Sequence, residues 1–442
     1  MIDGEVRERF WGFFEIHDRS ARSLANNILE QLKEIGVDKT PEKFICQTYD
    51  GASVMRGQQG GVQCLVREKY PNASYVHCYA HQGNLILQNA TSSSSQSRIF
   101  FHDIQGIGPF FSRSPKRMDF LTQFVQRRIA SAPPTRWYFQ HRIVNTVYEH
   151  KDSLIECFEH IRDTESSDSS ACSQAAGFVR TLNDPQFLFW LTFYHNIMPH
   201  VAVFFDCVQR RNIDALRVRD FLNCFCDSVS NVRKLYEHEA TDTEPINKKR
   251  RSEYVNTKNN RIAAVEVCDI IVNSIKERFQ FLGHLSASTL FLVENFKDYN
   301  VTFPEDNFEA TIQAYPTVSG QKLKTELQVL YSRDDMRIAS GAIALLQFFL
   351  RNNMSRTFSE CISVLKIIVT IPMTTVEAER CFSTLNKIKN FLRNTMGNER
   401  LNALAMLSIE KRMIHGIPEF NKLVIEEFAV NKERRMDLIY KH

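Results

Sequence analysis

Two acidic residues that lie far apart in the sequence have the chemistry to hold a divalent metal. The first is Asp50, which follows an apolar stretch over residues 44–49 and precedes Gly51. Ligands of open α/β sheets bind beyond the carboxyl ends of the strands, where a carboxylate is well placed to coordinate a cation. An Asp-Gly pair after a strand is also typical of a turn. The local sequence leaves both interpretations of Asp50 open.

The second acidic residue, Glu379, falls in the first turns of a predicted helix. Thr374 and Glu377 have the spacing of a capping box, in which the glutamate reaches back to the start of the helix. Two residues along a helix correspond to a rotation of about 200°, so Glu377 and Glu379 cannot share a role. Glu379 is therefore a candidate metal ligand, and an ion pair with Arg380 or another base is the structural alternative.

A Cys-x-x-His motif, Cys78 and His81, lies where a third predicted strand meets a helix. A structural zinc site needs four ligands, and the sequence places no second pair nearby at a suitable spacing. The motif therefore favours local packing at a strand-to-helix junction over a zinc site.

Trp137 and Arg136 close a basic segment that spans residues 98–142. The segment contains two acidic residues, Asp103 and Asp119, against eight basic ones: Arg98, Arg113, Lys116, Arg117, Arg127, Arg128, Arg136 and Arg142. A tryptophan beside an arginine suits stacking on an extruded base while the guanidinium binds phosphate. A core tryptophan next to a solvated basic surface is the alternative interpretation.

These residues need a layer of strands and helices to position them. The pattern predicts strands over residues 6–16, 44–49 and 73–78, and helices over 20–36, 58–70 and 79–90. Strands separated by single helices indicate parallel crossovers and an α/β layer.

The remainder of the chain is predicted to be helical. The pattern predicts one helix over residues 139–161, a polar break at 164–173, a hydrophilic loop at 239–261 and a polar stretch at 298–321. We therefore divide the chain into residues 1–163, a helical insertion at 164–350, and returning helices at 351–442.

Apolar residues near the C-terminus indicate a subunit interface. On a helix predicted over residues 398–413, Leu401 and Leu404 lie along one side and Leu407 lies beside them. Two adjacent stripes on one helix suggest burial on more than one side. Phe382 and Leu385 form an apolar face on the preceding helix, so we assign all five to dimerisation. Packing within the chain alone is the alternative.

The composition is that of an ordinary globular protein, with 442 residues, a formal net charge of +4 and 43% hydrophobic residues. The 11 cysteines are scattered without CxxC pairs, which argues for reduced thiols. Polar residues interrupt the most apolar stretch, 187–208, so we expect a buried helical pair rather than a membrane span. Lys248-Lys249-Arg250-Arg251 suits nuclear import or a solvated loop.

Four motifs occur in an order that resembles the hAT transposases, the hobo and Activator type. In chain order they are Tyr49-Asp50-Gly51-Ala52-Ser53, His77-Cys78-x-x-His81, Thr135-Arg136-Trp137 and Pro372-x-Thr374-Thr375-x-x-Ala378-Glu379-Arg380-x-Phe382-Ser383. The chain is especially similar to MYM-type zinc-finger proteins of hAT origin. Residues 385–411 look like the hAT C-terminal dimerisation region.

The resemblance implies an RNase H-like core in which three acids bind two divalent ions. Asp50 matches the second acid and Glu379 the third, with Mg²⁺ or Mn²⁺ as the cofactor of an active enzyme. Cys78 and His81 match a motif that supports the active site, and Trp137 matches a tryptophan that stacks on a flipped base. The resemblance also implies a nuclear homodimer or higher homo-oligomer with no membrane association.

Residues 6–16 correspond to the third strand of such a core. We therefore expect the first strand, its catalytic aspartate and the N-terminal zinc finger to be absent, which leaves an incomplete RNase H-like core interrupted by a large helical insertion. This predicts a domesticated or truncated protein that dimerises and binds DNA, requires no cofactor and does not transpose. The alternatives are an active transposase whose gene model lacks its beginning, and an assembly module without nucleic-acid contact.

Overall fold

The computed structural model describes most of the chain. The described residues are 6–129, 137–164, 168–210, 215–237, 248–279, 282–338, 341–390, 393 and 395–430. The structure is mostly helical, at 76% helix, with two parallel strands among the described residues. None of the helices in these ranges is both long and apolar enough to cross a membrane.

The elements follow one another along the chain with short connections. The strands are β1 (Cys46–Tyr49) and β2 (Ser74–His77). The helices are α1 (Ala21–Glu34), α2 (Ser53–Arg56), α3 (Val62–Lys69), α4 (Tyr79–Ser93), α5 (Ser95–Ser112), α6 (Pro115–Val125), α7 (Trp137–Glu149), α8 (Lys151–Thr164), α9 (Ser169–Leu182), α10 (Pro185–Val208), α11 (Ala215–Glu237), α12 (Lys248–Arg278), α13 (Leu282–Thr289), α14 (Phe296–Val301), α15 (Glu305–Ala314), α16 (Gly320–Ser332), α17 (Ala342–Arg351), α18 (Ser359–Thr370), α19 (Val376–Ile388), α20 (Asn398–Ile409), α21 (Lys411–His415) and α22 (Phe420–Val430).

The chain forms two compact units. The terminal unit comprises residues 1–44, 52–71 and 375–442, and the central unit comprises residues 45–51 and 72–374.

In the terminal unit, α1 confirms the helix predicted over residues 20–36. The side chain of Ser20 accepts a hydrogen bond from the Ser23 backbone amide and caps the start of the helix. Gly36 has a φ of 81° just beyond the end, a left-handed conformation that glycine adopts without strain. Helix α1 packs against α3.

The strand predicted over residues 6–16 is wrong, because this segment is irregular. Its aromatic composition is typical of strands, but a strand also needs a neighbouring backbone to pair with. Here side chains supply the hydrogen-bond partners that a neighbouring strand would provide. The Phe10 amide donates to Glu410 Oε1 at 2.7 Å, and Asn402 bonds both the N–H and the C=O of Phe13, at 2.7 and 3.0 Å.

The central unit contains the two strands, which confirm the predictions at 44–49 and 73–78. They pair in parallel from Cys46 opposite Ser74 to Tyr49 opposite His77. The segment after α18 returns to these strands. Thr48 Oγ1 donates to the Pro372 carbonyl at 2.6 Å, and the Tyr79 amide donates to the Met373 carbonyl at 3.0 Å.

Helix α10 contributes large aromatic side chains to the core of the central unit. Trp190, Phe193 and Tyr194 are at most 1% exposed and pack against one another. The expected burial of residues 187–208 is therefore confirmed, but they form one helix rather than a pair. Pro199 lies within that helix without ending it.

Two further predictions on the helices need correction. The helix predicted over residues 139–161 is interrupted at His150 and forms α7 and α8. The loop predicted at 239–261 is helical from Lys248 onward, in α12. Lysine, arginine, glutamate and asparagine are compatible with an exposed helix, so a polar composition alone does not indicate a loop.

A second apolar core surrounds α16, α17 and α18. Glu326, which is 5% exposed, accepts hydrogen bonds from the Glu360 and Cys361 amides at 2.9 and 2.8 Å. It therefore caps the start of α18 from a neighbouring helix. The same core region holds His284, whose Nδ1 lies 3.0 Å from the Tyr315 hydroxyl and whose Nε2 is buried without a hydrogen-bond partner among the described residues.

Candidate functional site

Asp50 is solvent-exposed and lies directly after β1, at the carboxyl end of the strand where its role as a ligand was predicted. Its backbone carbonyl accepts a hydrogen bond from the Tyr75 hydroxyl at 3.4 Å. The Tyr75 ring stacks on Tyr49, at 6.1 Å between ring centroids. Burial raises the pKa of Tyr49 and raises the pKa of the Cys46 thiol to about 11, so neither side chain is ionised at neutral pH.

The turn after Asp50 lies against two histidines. A Cβ atom at Gly51 would collide with the His77 imidazole and would lie 3.3 Å from His81 Cδ2, so a larger residue at this position would have to displace the His77 ring. The His77 and His81 rings are 5.7 Å apart between centroids. His77 is thus a residue of this site that the sequence analysis placed in a motif without assigning it a role. Its position at the end of β2, level with Tyr49 in β1, is the signal that would have identified it.

Cys78 and His81 have the geometry expected of a strand-to-helix junction. Cys78 is fully buried, and its amide donates to the Tyr49 carbonyl at 3.0 Å, directly before α4 begins. His81 is half-buried in the first turn of α4. Across the described ranges, no group of three or more His, Cys, Asp or Glu side chains is arranged to hold a metal ion.

Glu379 is exposed in the first turns of α19, and its amide donates to the Thr375 carbonyl at 3.1 Å. The predicted capping box is wrong. The N-cap is Thr375 rather than Thr374, it makes no side-chain cap bond, and Glu377 forms an ion pair with Arg380. A nearby guanidinium competes with the backbone amide for the Glu377 carboxylate, which accounts for the difference.

The two candidate metal ligands belong to different units. Asp50 is part of the central unit, and Glu379 is part of the terminal unit. Their convergence on one metal site, which the resemblance implies, stays a prediction.

Trp137 is only 3% exposed at the start of α7. Its ring packs edge-on against Phe101 at 4.9 Å between centroids, and its amide donates to Asn84 Oδ1 at 3.1 Å. This position fits the alternative interpretation, a core tryptophan. Arg136 lies outside the described residues.

The basic segment divides into paired and solvent-facing side chains. Arg127 forms an ion pair with Glu149 at 2.7 Å, and the Arg117 guanidinium lies over the Phe110 ring at 4.6 Å. Five further basic side chains of the segment are exposed: Arg98, Arg113, Lys116, Arg128 and Arg142. Of these, Lys116 lies over the Phe120 ring at 5.8 Å and Arg142 over the Phe139 ring at 6.0 Å.

An exposed aromatic side chain lies near this segment. Tyr148 is 41% exposed on α7, next to Glu149, and one face of its ring stacks on His195 at 3.7 Å and 7°. His195 Nδ1 lies 3.1 Å from Asn145 Oδ1, which fixes the orientation of the imidazole. The sequence analysis missed this pair, because a tyrosine near the end of a helix gives no indication of a stacked partner.

The five predicted dimerisation residues differ in exposure. Leu401 is 4% exposed and packs within the chain, and Leu385 and Leu404 are half-buried. Phe382 and Leu407 are 57% and 47% exposed. Only part of the predicted set is therefore available to a partner in this conformation.

Comparison with protein-family models identifies two regions of the chain. Residues 326–413 match the hAT family C-terminal dimerisation region. Residues 2–61 match the ZMYM1/FAM200, RNase-like domain. The two matches confirm the resemblance to hAT-derived proteins of the MYM type. The chain thus combines an RNase-like region with a hAT dimerisation region.

Proposed function

We propose that this hAT-derived chain acts as a homodimer that binds DNA, and not as a strand-transfer enzyme. The dimerisation region at residues 326–413 carries the proposal of self-association. Nucleic-acid binding is supported by the exposed basic side chains of the central unit.

The distribution of apolar surface supports self-association. Thirteen of the twenty large hydrophobic side chains found exposed among the described residues lie in the terminal unit, which holds less than a third of the chain. Exposed apolar surface that is concentrated in one part of a protein marks an interaction site. This unit contains α19, α20 and α21, which supply about half of the helical part of the matched dimerisation region.

DNA binding is supported by exposed arginines in a segment that is poor in carboxylates. Arg98, Arg113 and Arg128 are exposed, whereas the segment from 98 to 142 contains only two acidic residues. Such side chains can neutralise phosphates and release counterions.

The experiment is a salt titration of binding to duplex DNA. Replacing Arg98, Arg113 and Arg128 together with glutamate should reduce the slope of log K against log salt by about 0.9 for each phosphate that the variant no longer neutralises. The matched control reverses three arginines that are at least partly exposed and that each pair with a carboxylate one or two positions away: Arg162, Arg219 and Arg333. Equal effects of the two triple variants would contradict a specific basic surface. Absence of DNA binding by the wild type would favour the assembly module.

The proposal against strand transfer is tested separately. Two-metal catalysis in the hAT family uses three acids. Residues 1–442 contain counterparts of two of them, Asp50 and Glu379. We expect no nicking of DNA in Mg²⁺ or Mn²⁺. Metal-dependent nicking that Asp50→Ala abolishes would refute this part and favour an active enzyme.

A further inference from the structure

The irregular segment over residues 9–16 is attached to the matched dimerisation region at two points. Arg9 forms an ion pair with Glu410 at 2.6 Å, and the other carboxylate oxygen of Glu410 accepts from the Phe10 amide. Glu410 is 6% exposed, so the carboxylate is held in place by its surroundings. Asn402 then binds the N–H and C=O of Phe13.

The attachment is reinforced by aromatic contacts. The Phe13 ring lies 5.7 Å from Phe382 of α19 and 4.9 Å from Phe10, measured between centroids. Gly12 lies close to Asn402, because a Cβ at Gly12 would be 3.6 Å from Asn402 Oδ1. The segment and the helices α19 and α20 therefore present one continuous surface.

This surface leaves large aromatic side chains partly exposed, although Trp11 Nε1 donates a hydrogen bond to Gln31 Oε1 at 3.2 Å. Trp11 is 50% exposed, Phe14 38% and Phe382 57%. Tryptophan and phenylalanine are enriched in the cores of protein interfaces, where they bury large areas at a small cost in conformational entropy.

The charges around the aromatic residues favour self-association. Residues 6–19 contain three exposed arginines and three exposed carboxylates: Arg7, Arg9, Arg19, Glu8, Glu15 and Asp18. A symmetric dimer places one patch against its own copy, so a neutral rim of both signs is self-complementary. Because these charges cancel, the segment is a poor binding surface for nucleic acid.

We propose that the segment over residues 9–16, held on α19 and α20, docks a second copy of this chain, with Trp11 and Phe14 at the centre of the contact. This inference rests on the proposed dimerisation and extends the interface to residues outside the matched dimerisation region. Asn402 and Glu410 act as positioning residues, because they fix the segment against the helices.

Trp11 provides a direct reporter of this contact. The chain has three tryptophans, and Trp137 and Trp190 are only 3% and 1% exposed. Acrylamide should therefore quench mainly Trp11 in the monomer. We expect this quenching to disappear as the protein concentration is raised through the dimer Kd measured by sedimentation equilibrium.

Variants test the same contact by affinity. Trp11→Ala and Phe14→Ala should each raise the dimer Kd by about thirty-fold, as for a buried aromatic hot spot. Asn402→Ala should raise it as well by releasing the segment. Tyr148→Ala, an exposed aromatic of the central unit, is the matched control and should leave Kd unchanged. Circular dichroism verifies that each variant is folded.

The outcomes separate this inference from the proposed function. A dimer in which Trp11 stays fully quenchable, or whose Kd is unchanged in Trp11→Ala and Phe14→Ala, overturns the inference and leaves dimerisation intact. Protection of Trp11 from acrylamide in the monomer would show that the chain itself covers the segment, and this result also overturns the inference. A wild-type protein that is monomeric at all concentrations overturns the proposed dimerisation and the inference together.

Discussion

Removal of the Glu326 carboxylate should destabilise the central unit strongly. Glu326 is buried and accepts hydrogen bonds from two backbone amides in the first turn of α18, those of Glu360 and Cys361. The carboxylate also faces the positive end of the helix dipole. Burial and the nearby carboxylate raise the pKa of the Cys361 thiol, so this thiol does not supply a competing anion.

The magnitude follows from the groups that lose a partner. In Glu326→Ala, two amides lose a charge-assisted hydrogen bond, and each buried donor left unsatisfied costs about 1–3 kcal/mol. Partial access of water reduces the sum to about 3 kcal/mol, above the usual range for an N-cap residue. Glu326→Gln retains one acceptor oxygen and the side-chain volume, so it should cost about 1 kcal/mol.

Urea and thermal unfolding provide the measurement. For a unit of this size, about 3 kcal/mol corresponds to a decrease in Tm of roughly 4–6 °C. Glu309→Ala is the matched control, because Glu309 is an exposed glutamate on the helix α15 and its loss should change stability by less than about 0.5 kcal/mol. A Glu326→Ala variant as stable as the control would refute the capping role. Equal losses in the Ala and Gln variants would refute the hydrogen-bond argument.

The remaining predictions concern single side chains. Burial lowers the pKa of His284 to about 4, so the folded protein keeps this imidazole neutral where the unfolded chain protonates it. The free energy of unfolding should therefore be at its full value above pH 6.5 and about 2 kcal/mol lower at pH 5. A His284→Asn variant that loses the same free energy of unfolding over this range, measured by urea titration, would exclude His284 as the origin. Gly51→Ala should lower Tm by several degrees through the collision with His77, and an unchanged melt would contradict the close approach. Trp137→Ala should lower the free energy of unfolding by about 3–5 kcal/mol, because it leaves a cavity in the core. A variant that is as stable as the wild type and loses affinity only for flipped-base DNA would instead support the stacking role. Leu404→Asp should lower the mass measured by light scattering, and an unchanged mass in a folded variant would remove that helix from the interface.

Local patterns in the sequence were sufficient for some of these elements. The cap at Ser20 and the left-handed Gly36 bracket α1, because both act within a few residues of the helix. The strands β1 and β2 follow from short apolar runs bounded by turn residues. The position of Asp50 at the end of β1 follows from the same pattern.

Features that depend on distant residues were beyond the sequence pattern. The segment over residues 6–16 has the composition of a strand, yet Asn402 and Glu410, almost 400 positions away, take its backbone hydrogen bonds. The burial of Trp137 depends on Phe101 and Asn84. The local periodicity of the sequence does not indicate either contact. The structure predicted from residue propensity therefore differs from the one that packing produces.

The contacts of Thr48 with Pro372 and of Tyr79 with Met373 have a consequence for biosynthesis. The residues of the first contact are 324 positions apart, so the contact between the strand pair and the segment after α18 must wait until almost the whole central unit has been synthesised. At about 5–20 residues per second, that delay is on the order of 15–60 s. During this interval the strand pair and the start of α4 lack these contacts, so we expect the complete packing of this region to be a late step in the folding of the nascent chain.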